Sequence, residues 1–166
     1  MRRTGFAPLA LASSVLASAA PANAQQYLVG GEADLSPGME GGGQVSIRPS
    51  RLRLRLGGDA RVDESPDDIL QFGLLAELVP RAGFGGDVRY ARMAGEHFVV
   101  DIGGTCIVAP SSIYGVTAGL TYRWALSKRS QVTFGPEGDF YFLGTDLPSG
   151  VVIWQARFMG GFRVDL

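Results

Sequence analysis

His97 is the only histidine in the chain, so any nucleophilic or general-base chemistry built on an imidazole must use it. A Ser-His-acid arrangement needs the hydroxyl within hydrogen-bond reach of the ring. Ser111 and Ser112 stand at the far end of the strand that His97 opens, and at about 3.3 Å per residue they are too distant to cooperate. Ser127 and Ser130 return to the same side as His97, but no His-x-Ser pattern surrounds it. The simpler reading is a boundary histidine next to Glu96. Glu137 and Asp139 have the spacing of paired carboxylates, and the same spacing fits a charge network. Cys106 is the only cysteine, which excludes an internal disulfide and a multi-Cys metal site. No phosphate loop, metal cluster or nucleotide motif appears, so no catalytic residue, metal or cofactor is expected.

The charges have to be placed before their chemistry can be read. Fifteen basic and 16 acidic residues give a formal charge of −1, which favours neither nucleic acid nor another polyanion. What orders them is a period of two. Leu52, Leu54 and Leu56 alternate with Arg53 and Arg55. Leu70, Phe72, Leu74, Ala76 and Leu78 alternate with Gln71, Gly73 and Glu77. The alternation continues through Val88 and Tyr90, Phe98 to Ile102, and Tyr114 to Trp124. Near the end, Trp154, Ala156, Phe158, Phe162, Val164 and Leu166 share one face, and Gln155, Arg157, Gly161, Arg163 and Asp165 share the other. No sustained three-and-four spacing suggests a helix. Turn-prone clusters such as Asp63-Glu64-Ser65-Pro66, Pro110-Ser111-Ser112 and Ser127-Lys128-Arg129 separate the segments. Strands are expected near 40–48, 52–62, 69–79, 84–93, 97–108, 113–124, 130–143 and 151–166. Pro136 makes the seventh the weakest, as either a bulge or a real turn, because proline donates no ladder hydrogen bond.

Most of these strands match the roughly 9–11 residues of a tilted membrane-spanning strand. One face carries the charges, and two arrangements follow. With that face outward, the chain is a soluble periplasmic barrel binding a small apolar ligand. With it inward, Arg53, Arg55, Glu77, Asp87, Arg89, Asp101, Arg123, Glu137, Asp139, Arg157 and Arg163 form a charge network filling a narrow lumen. Three features favour the second. The charged face also collects small residues such as Gly73, Gly103, Thr117 and Gly119, which a lumen of eight strands needs. Its acids and bases, counted with Asp59, Arg61 and Asp165, are equal in number, as burial demands. Aromatic residues Tyr114, Tyr122, Trp124, Phe142 and Trp154 lie near strand ends on the other face, as interface girdles do.

The start of the chain reads as an export signal. Met1-Arg2-Arg3 precedes an apolar run from Phe6 to Ala20, and Ala22-Asn23-Ala24 offers a cleavage site between Ala24 and Gln25. The expected organisation is a signal peptide over 1–24, a periplasmic tail over 25–39 and a barrel over 40–166. Tyr27-Leu28-Val29 is an alternative short extra strand. The fold expected is all-β, an eight-stranded antiparallel up-and-down transmembrane β-barrel.

Gly161-Phe162-Arg163-Val164-Asp165-Leu166 resembles the terminal strand that outer-membrane proteins present to the barrel assembly machinery. With eight strands, residues 40–166 resemble the small OmpA/OmpX class of outer-membrane barrels. The chain departs from that class in ending on Leu166 rather than an aromatic residue, and in having short expected extracellular connections at 49–51, 80–83, 109–112 and 144–150. The resemblance implies a bacterial outer-membrane location, contact with outer-membrane lipid and a monomer, with no nucleic-acid partner. It implies a structural or interaction role, a narrow pore for small solutes being the alternative. Some barrels of this size, among them the lipid A deacylase PagL and the acyltransferase PagP, are enzymes. Without a PagL-like pattern around His97, a lipid-modifying reading rests on the fold alone.

Overall fold

The structure, a computed structural model, describes residues 28–43, 45–49, 52–61, 67–78, 82–145, 147 and 150–165. The expected leader, its Ala24/Gln25 junction and Leu166 lie outside these residues. Every regular element described is a strand: β1 (Leu28–Ser36), β2 (Gly38–Gly42), β3 (Val45–Pro49), β4 (Arg53–Arg61), β5 (Asp68–Glu77), β6 (Gly83–Ala94), β7 (Phe98–Ala109), β8 (Ile113–Ala125), β9 (Ser130–Gly144) and β10 (Ile153–Asp165).

Antiparallel pairing runs β4-β5-β6-β7-β8-β9-β10, and β1 closes the ring by pairing with both β4 and β10. The ten segments make eight barrel strands, because β1 and β2 lie end to end along β10, and β3 and β4 lie end to end beside them. Gly30–Leu35 face Asp165–Gly160, and Gly38–Gly42 face Arg157–Ile153. The break between them is Pro37, which has no N–H to give to a ladder. Its carbonyl still accepts from the Phe158 amide at 2.9 Å, so the line of the strand is kept. β3 pairs back on β2, and β4 continues down beside β1.

Register around the ring fixes the shape. From Glu32 the pairing leads through Gly57, Gly73, Asp87, Thr105, Gly115, Tyr141 and Ile153 to Gly42. One circuit therefore advances the first strand by 42 − 32 = 10 residues. A stagger of that size on eight strands belongs with the tilt of roughly 35–45° seen in closed barrels, and leaves an interior that side chains can fill.

Two sequence expectations are corrected here. Residues 25–39 are not a tail over their described part: 28–36 form β1, and Tyr27-Leu28-Val29 falls at its beginning, with Tyr27 outside the described residues. Gly30 and Gly31 weaken the local strand signal, but β4 and β10 each present an unpaired edge that only this segment satisfies. The strand expected over 40–48 is instead a hairpin, because Gly43 turns the chain at φ 58°, a left-handed conformation that glycine adopts without cost. The first connection thus lies at 43–44 rather than 49–51. At Pro136 the strand does not end. β9 runs through it, with Pro136 opposite Phe158 of β10, and the β8 register is the same on both sides, at Gly119–Glu137 and Tyr122–Phe134.

The alternation sorts the two faces without ambiguity. Leu74, Ile102 and Trp124 point outward and are 60%, 62% and 62% exposed, whereas Arg53, Asp59 and Asp139 point inward and are 1%, 0% and 0% exposed. Phe72, Phe84, Val88, Val116, Phe140 and Phe158 share the outer surface. A water-soluble protein rarely exposes a continuous apolar patch beyond a few hundred Å². The soluble barrel with an apolar ligand inside is therefore overturned, since its interior would have to be the face that is outside. Tyr114 and Phe142 mark one end of the outer wall, and Tyr122 and Trp124 the end at which the chain enters and leaves. Trp154 lies over Gly41 of the neighbouring strand, where an added Cβ would stand 2.8 Å from the indole.

Because β1 supplies both closing seams, a chain lacking 28–36 is expected to lose the closed barrel. On an unboiled detergent gel the full barrel should migrate differently from the boiled chain, and the truncated one should not. An equal shift in the truncated chain would show that β4 and β10 close without β1.

Candidate functional site: a buried ionic network

The interior is where the sequence's chemistry-bearing residues meet. All eleven residues expected in the lumen are buried there, at 8% exposure or less. Strand alternation places each of them: Arg53 and Arg55 on β4, Glu77 on β5, Asp87 and Arg89 on β6, Asp101 on β7, Arg123 on β8, Glu137 and Asp139 on β9, and Arg157 and Arg163 on β10.

Glu137 is the hub. One of its oxygens accepts from Arg89 at 2.9 Å, the other from Arg157, and Arg53 Nη1 stands 3.8 Å away. Arg53 Nη1 also donates to Asp139 at 2.8 Å. Its Nη2 reaches Glu77 at 3.0 Å, the Tyr141 hydroxyl at 2.7 Å and Gln155 Oε1 at 3.1 Å. Tyr141 in turn donates to Asp139 at 3.2 Å, and Arg157 pairs with Asp139 at 2.5 Å. Gln155 passes the chain on to Glu40 at 3.2 Å.

In the other direction Arg89 holds Asp87 at 2.8 Å and Asp101 at 3.2 Å. Arg55 grips Asp87 through Nε at 2.9 Å and Nη2 at 3.0 Å, and pairs with Glu32, with Asp34 at 3.8 Å. Thr133 donates to Asp34 at 3.1 Å. The result is one connected set of charged and polar groups drawing on every barrel strand except β8. Toward the chain ends a smaller set joins Arg163 to Asp59 and Asp165, with Gln131 donating to Asp165 at 2.7 Å.

Space for these side chains comes from inward glycines. A Cβ on Gly73 would lie 2.6 Å from Arg55 Nε and 2.8 Å from Asp87 Oδ1, inside the bidentate pair. Gly119 leaves the same kind of room for Asp101, and Gly30 for Arg163. Apolar residues close the interior beyond the ions. Ile69, Ala91 and Val99 pack with Met93 toward the end carrying the chain termini, while Leu75, Ile107 and Tyr141 are buried toward the other.

Two features differ from the sequence reading. The equal count of acids and bases does not hold inside, where eight buried carboxylates meet six buried arginines among the described residues. Asp34, on the segment read as a tail, and Glu40, in the first expected strand, add two acids, whereas Asp165 is only half-buried and Arg61 is exposed at the end of β4. The weak alternation of Glu32, Asp34 and Ser36 against Ala33 and Leu35 was the available signal. Arg123 is buried, yet among the described residues no carboxylate lies within ion-pair distance of it. Its Nη1 contacts the Met93 sulfur at 3.7 Å and its Nε has no partner. His97 is exposed in a turn beside Tyr122, their ring centroids 5.5 Å apart. No three His, Cys, Asp or Glu side chains among the described residues gather in a metal-holding arrangement.

No protein-family model matches the chain, and no curated protein matches it. Its fold does have known counterparts. Neisserial surface protein A superposes with a TM-score of 0.50 at 12% identity, over 82% of this chain and 96% of that one. The N-terminal β-barrel domain of Pseudomonas aeruginosa OprF gives 0.39 at 14% identity, over 80% and 96%. The outer membrane protein AlkL gives 0.41 at 10% identity, over 90% and 96%. The fold is that of the small eight-stranded outer-membrane barrels.

The geometry distinguishes the hub from the isolated arginine. Removing one partner of a buried ionic set costs about 3–5 kcal/mol, so Glu137→Ala is expected to lower the unfolding free energy by that order. Arg123→Met, which replaces an unpaired buried cation by an apolar chain of similar length, should change it by less than about 1 kcal/mol or stabilise. Urea titration of the detergent-folded protein, followed by tryptophan emission, measures both. Equal losses would contradict the assignment of Glu137 as hub.

Proposed function

We propose that the protein is a bacterial outer-membrane barrel with a structural or interaction role, its lumen closed to solutes by the ionic network. A bilayer can be crossed only by helices or by a closed barrel, and no described helix is long and apolar enough to do so. The outer wall of this barrel is apolar and its charges are inside, the order that hydrocarbon requires. A single Arg turned to the lipid at mid-depth would cost about 2–4 kcal/mol.

The observation that carries the role is the continuity of the network. Its guanidinium groups bridge across the interior from wall to wall, and Arg53, Arg157 and Asp139 side chains are 1%, 0% and 0% accessible. A conduit would instead leave charges lining water. In this reading the end carrying the termini faces the periplasm, the leader over 1–24 directs export and is removed between Ala24 and Gln25, and the β10 strand meets the assembly machinery. Monomers suffice, because the ring has no open seam. The connections at the far end are short, with β7 and β8 joined through 110–112 and β2 and β3 through 43–44. An interaction role would therefore use the rim and the outer wall rather than long loops.

Reconstitution into planar bilayers tests the closed lumen. The protein is expected to insert and leave the current flat in molar salt. Stable single-channel steps in the wild type would overturn the reading in favour of a narrow pore.

A further inference from the structure

Three depressions of the lipid-facing wall, all among the described residues, differ in chemistry. One of about 540 Å³, at Gly31, Gly58 and Leu74, and one of about 680 Å³, at Gly86, Gly104 and Tyr114, are floored by glycine backbone, with Glu32 or Asp87 behind the wall. The third, of about 370 Å³, is apolar throughout and lined by Phe98, Leu120, Tyr122, Phe134, Gly135, Pro136 and Phe158. That volume lies within the roughly 300–1,000 Å³ of small-molecule sites.

The cause of the third depression is local. Pro136 has no N–H, and the β8–β9 pairing is missing between Gly119–Glu137 and Tyr122–Phe134. The pyrrolidine ring is shorter than Phe134 on one side of it, and Gly138, the next outward position on the other, has no side chain, so the wall dips where the ladder is interrupted. The rim beside it is held stiffly. Tyr122 stacks edge-on against Phe98 at 5.2 Å, and tilted against Phe134 at 5.2 Å and His97 at 5.5 Å.

A second observation says what fills it. The two strands that flank the dip, β8 and β9, are joined by the turn that carries Lys128 and Arg129, both exposed. Leu126 and Ser127 amides bond Ser130 O at 2.9 and 3.1 Å, and the Arg129 amide bonds Ser127 Oγ at 3.2 Å, so the turn is tight. The nearby acids are Glu96, in the adjoining turn, and Asp165, which is engaged by Arg163 and Gln131. Two cations thus stand at the headgroup level below an apolar slot whose opening faces hydrocarbon.

We propose that this slot holds one acyl chain of a phospholipid in the periplasmic leaflet, with the lipid's anionic headgroup at Lys128 and Arg129. The proposal rests on the membrane-spanning reading above. Basic residues near a membrane surface attract anionic lipid, and a fixed aromatic rail adds a shape that bulk lipid contacts lack.

The test uses the Trp154→Phe protein, which leaves Trp124, on the same face as Tyr122 and one step nearer the turn, as the reporter. It is placed in phosphatidylcholine vesicles with a small fraction of either phosphatidylglycerol or phosphatidylcholine brominated on the acyl chain. Phosphatidylglycerol is expected to be enriched about fivefold at Trp124, the effect of one net basic residue. The excess should vanish both in Lys128→Gln/Arg129→Gln and in Pro136→Phe, which fills the dip. Leu120→Tyr is a second filling variant should Pro136→Phe not insert. Equal quenching by the two lipids in the wild type, or a preference that survives filling, overturns the slot. Quenching by neither lipid would instead overturn the membrane-spanning reading itself.

Discussion

The structure depends on one constraint: guanidinium groups taken out of water need carboxylates inside the ring, and among the described residues all six buried ones but Arg123 find them. An isolated buried charge costs several kcal/mol even after the protein relaxes, and pairing offsets this only when the remaining donors and acceptors are also satisfied. Glu137 pairs with Arg89 and Arg157 at once, and Asp139 with Arg53 and Arg157, while the Nε atoms of these three arginines have no hydrogen-bond partner among the described residues. Most of the fold can be traced to keeping these groups within reach. The stagger of ten residues brings strands that are not neighbours into contact across the interior, and glycines at Gly73 and Gly119 clear the volume the long side chains occupy. β8 turns Thr117 and Thr121 inward, and its one inward charge, Arg123, pairs with no carboxylate among the described residues, so the network passes it by.

Closure and exterior follow from the same condition. A ring has no edge, so each backbone N–H and C=O can be paired without water. That is why the glycine-rich β1 is held between β4 and β10 although little in its own composition favours a strand. Once the charges are inside, the alternation leaves Leu, Val, Ile and Phe side chains outside. Tyr122 and Trp124 are near one end of the wall, and Tyr114 and Phe142 near the other.

The legible parts of the sequence were those with two-residue contrast. Leu54 and Leu56 against Arg53 and Arg55, or Ala156 and Phe158 against Gln155 and Arg157, identify both a strand and the face it buries. Where the contrast is between small residues it fades. Gly31 and Ala33 against Glu32 and Asp34 read as a tail, and the glycine run 41–43 hid a turn inside an expected strand. Pro136 was ambiguous because a proline ends many strands. Here its ring faces outward, and β10 continues past it. Within the site, alternation showed which residues go inside but not which would meet. The pairing of Arg53 with Asp139, or of Arg89 with Glu137, joins strands separated around the ring and depends on register and tilt, which no local pattern contains. The isolation of Arg123 was equally invisible, because it looks like its paired counterparts in every respect that sequence records.

A double-mutant cycle at Arg89 and Glu137 tests the dependence on pairing most directly. Arg89→Met and Glu137→Met are each expected to cost about 3–5 kcal/mol of unfolding free energy, and the double variant to cost clearly less than their sum, because the two charges that face each other are removed together and neither is left without the other. Losses that simply add would show that the two side chains act independently, and would contradict an interior held together by charge pairing.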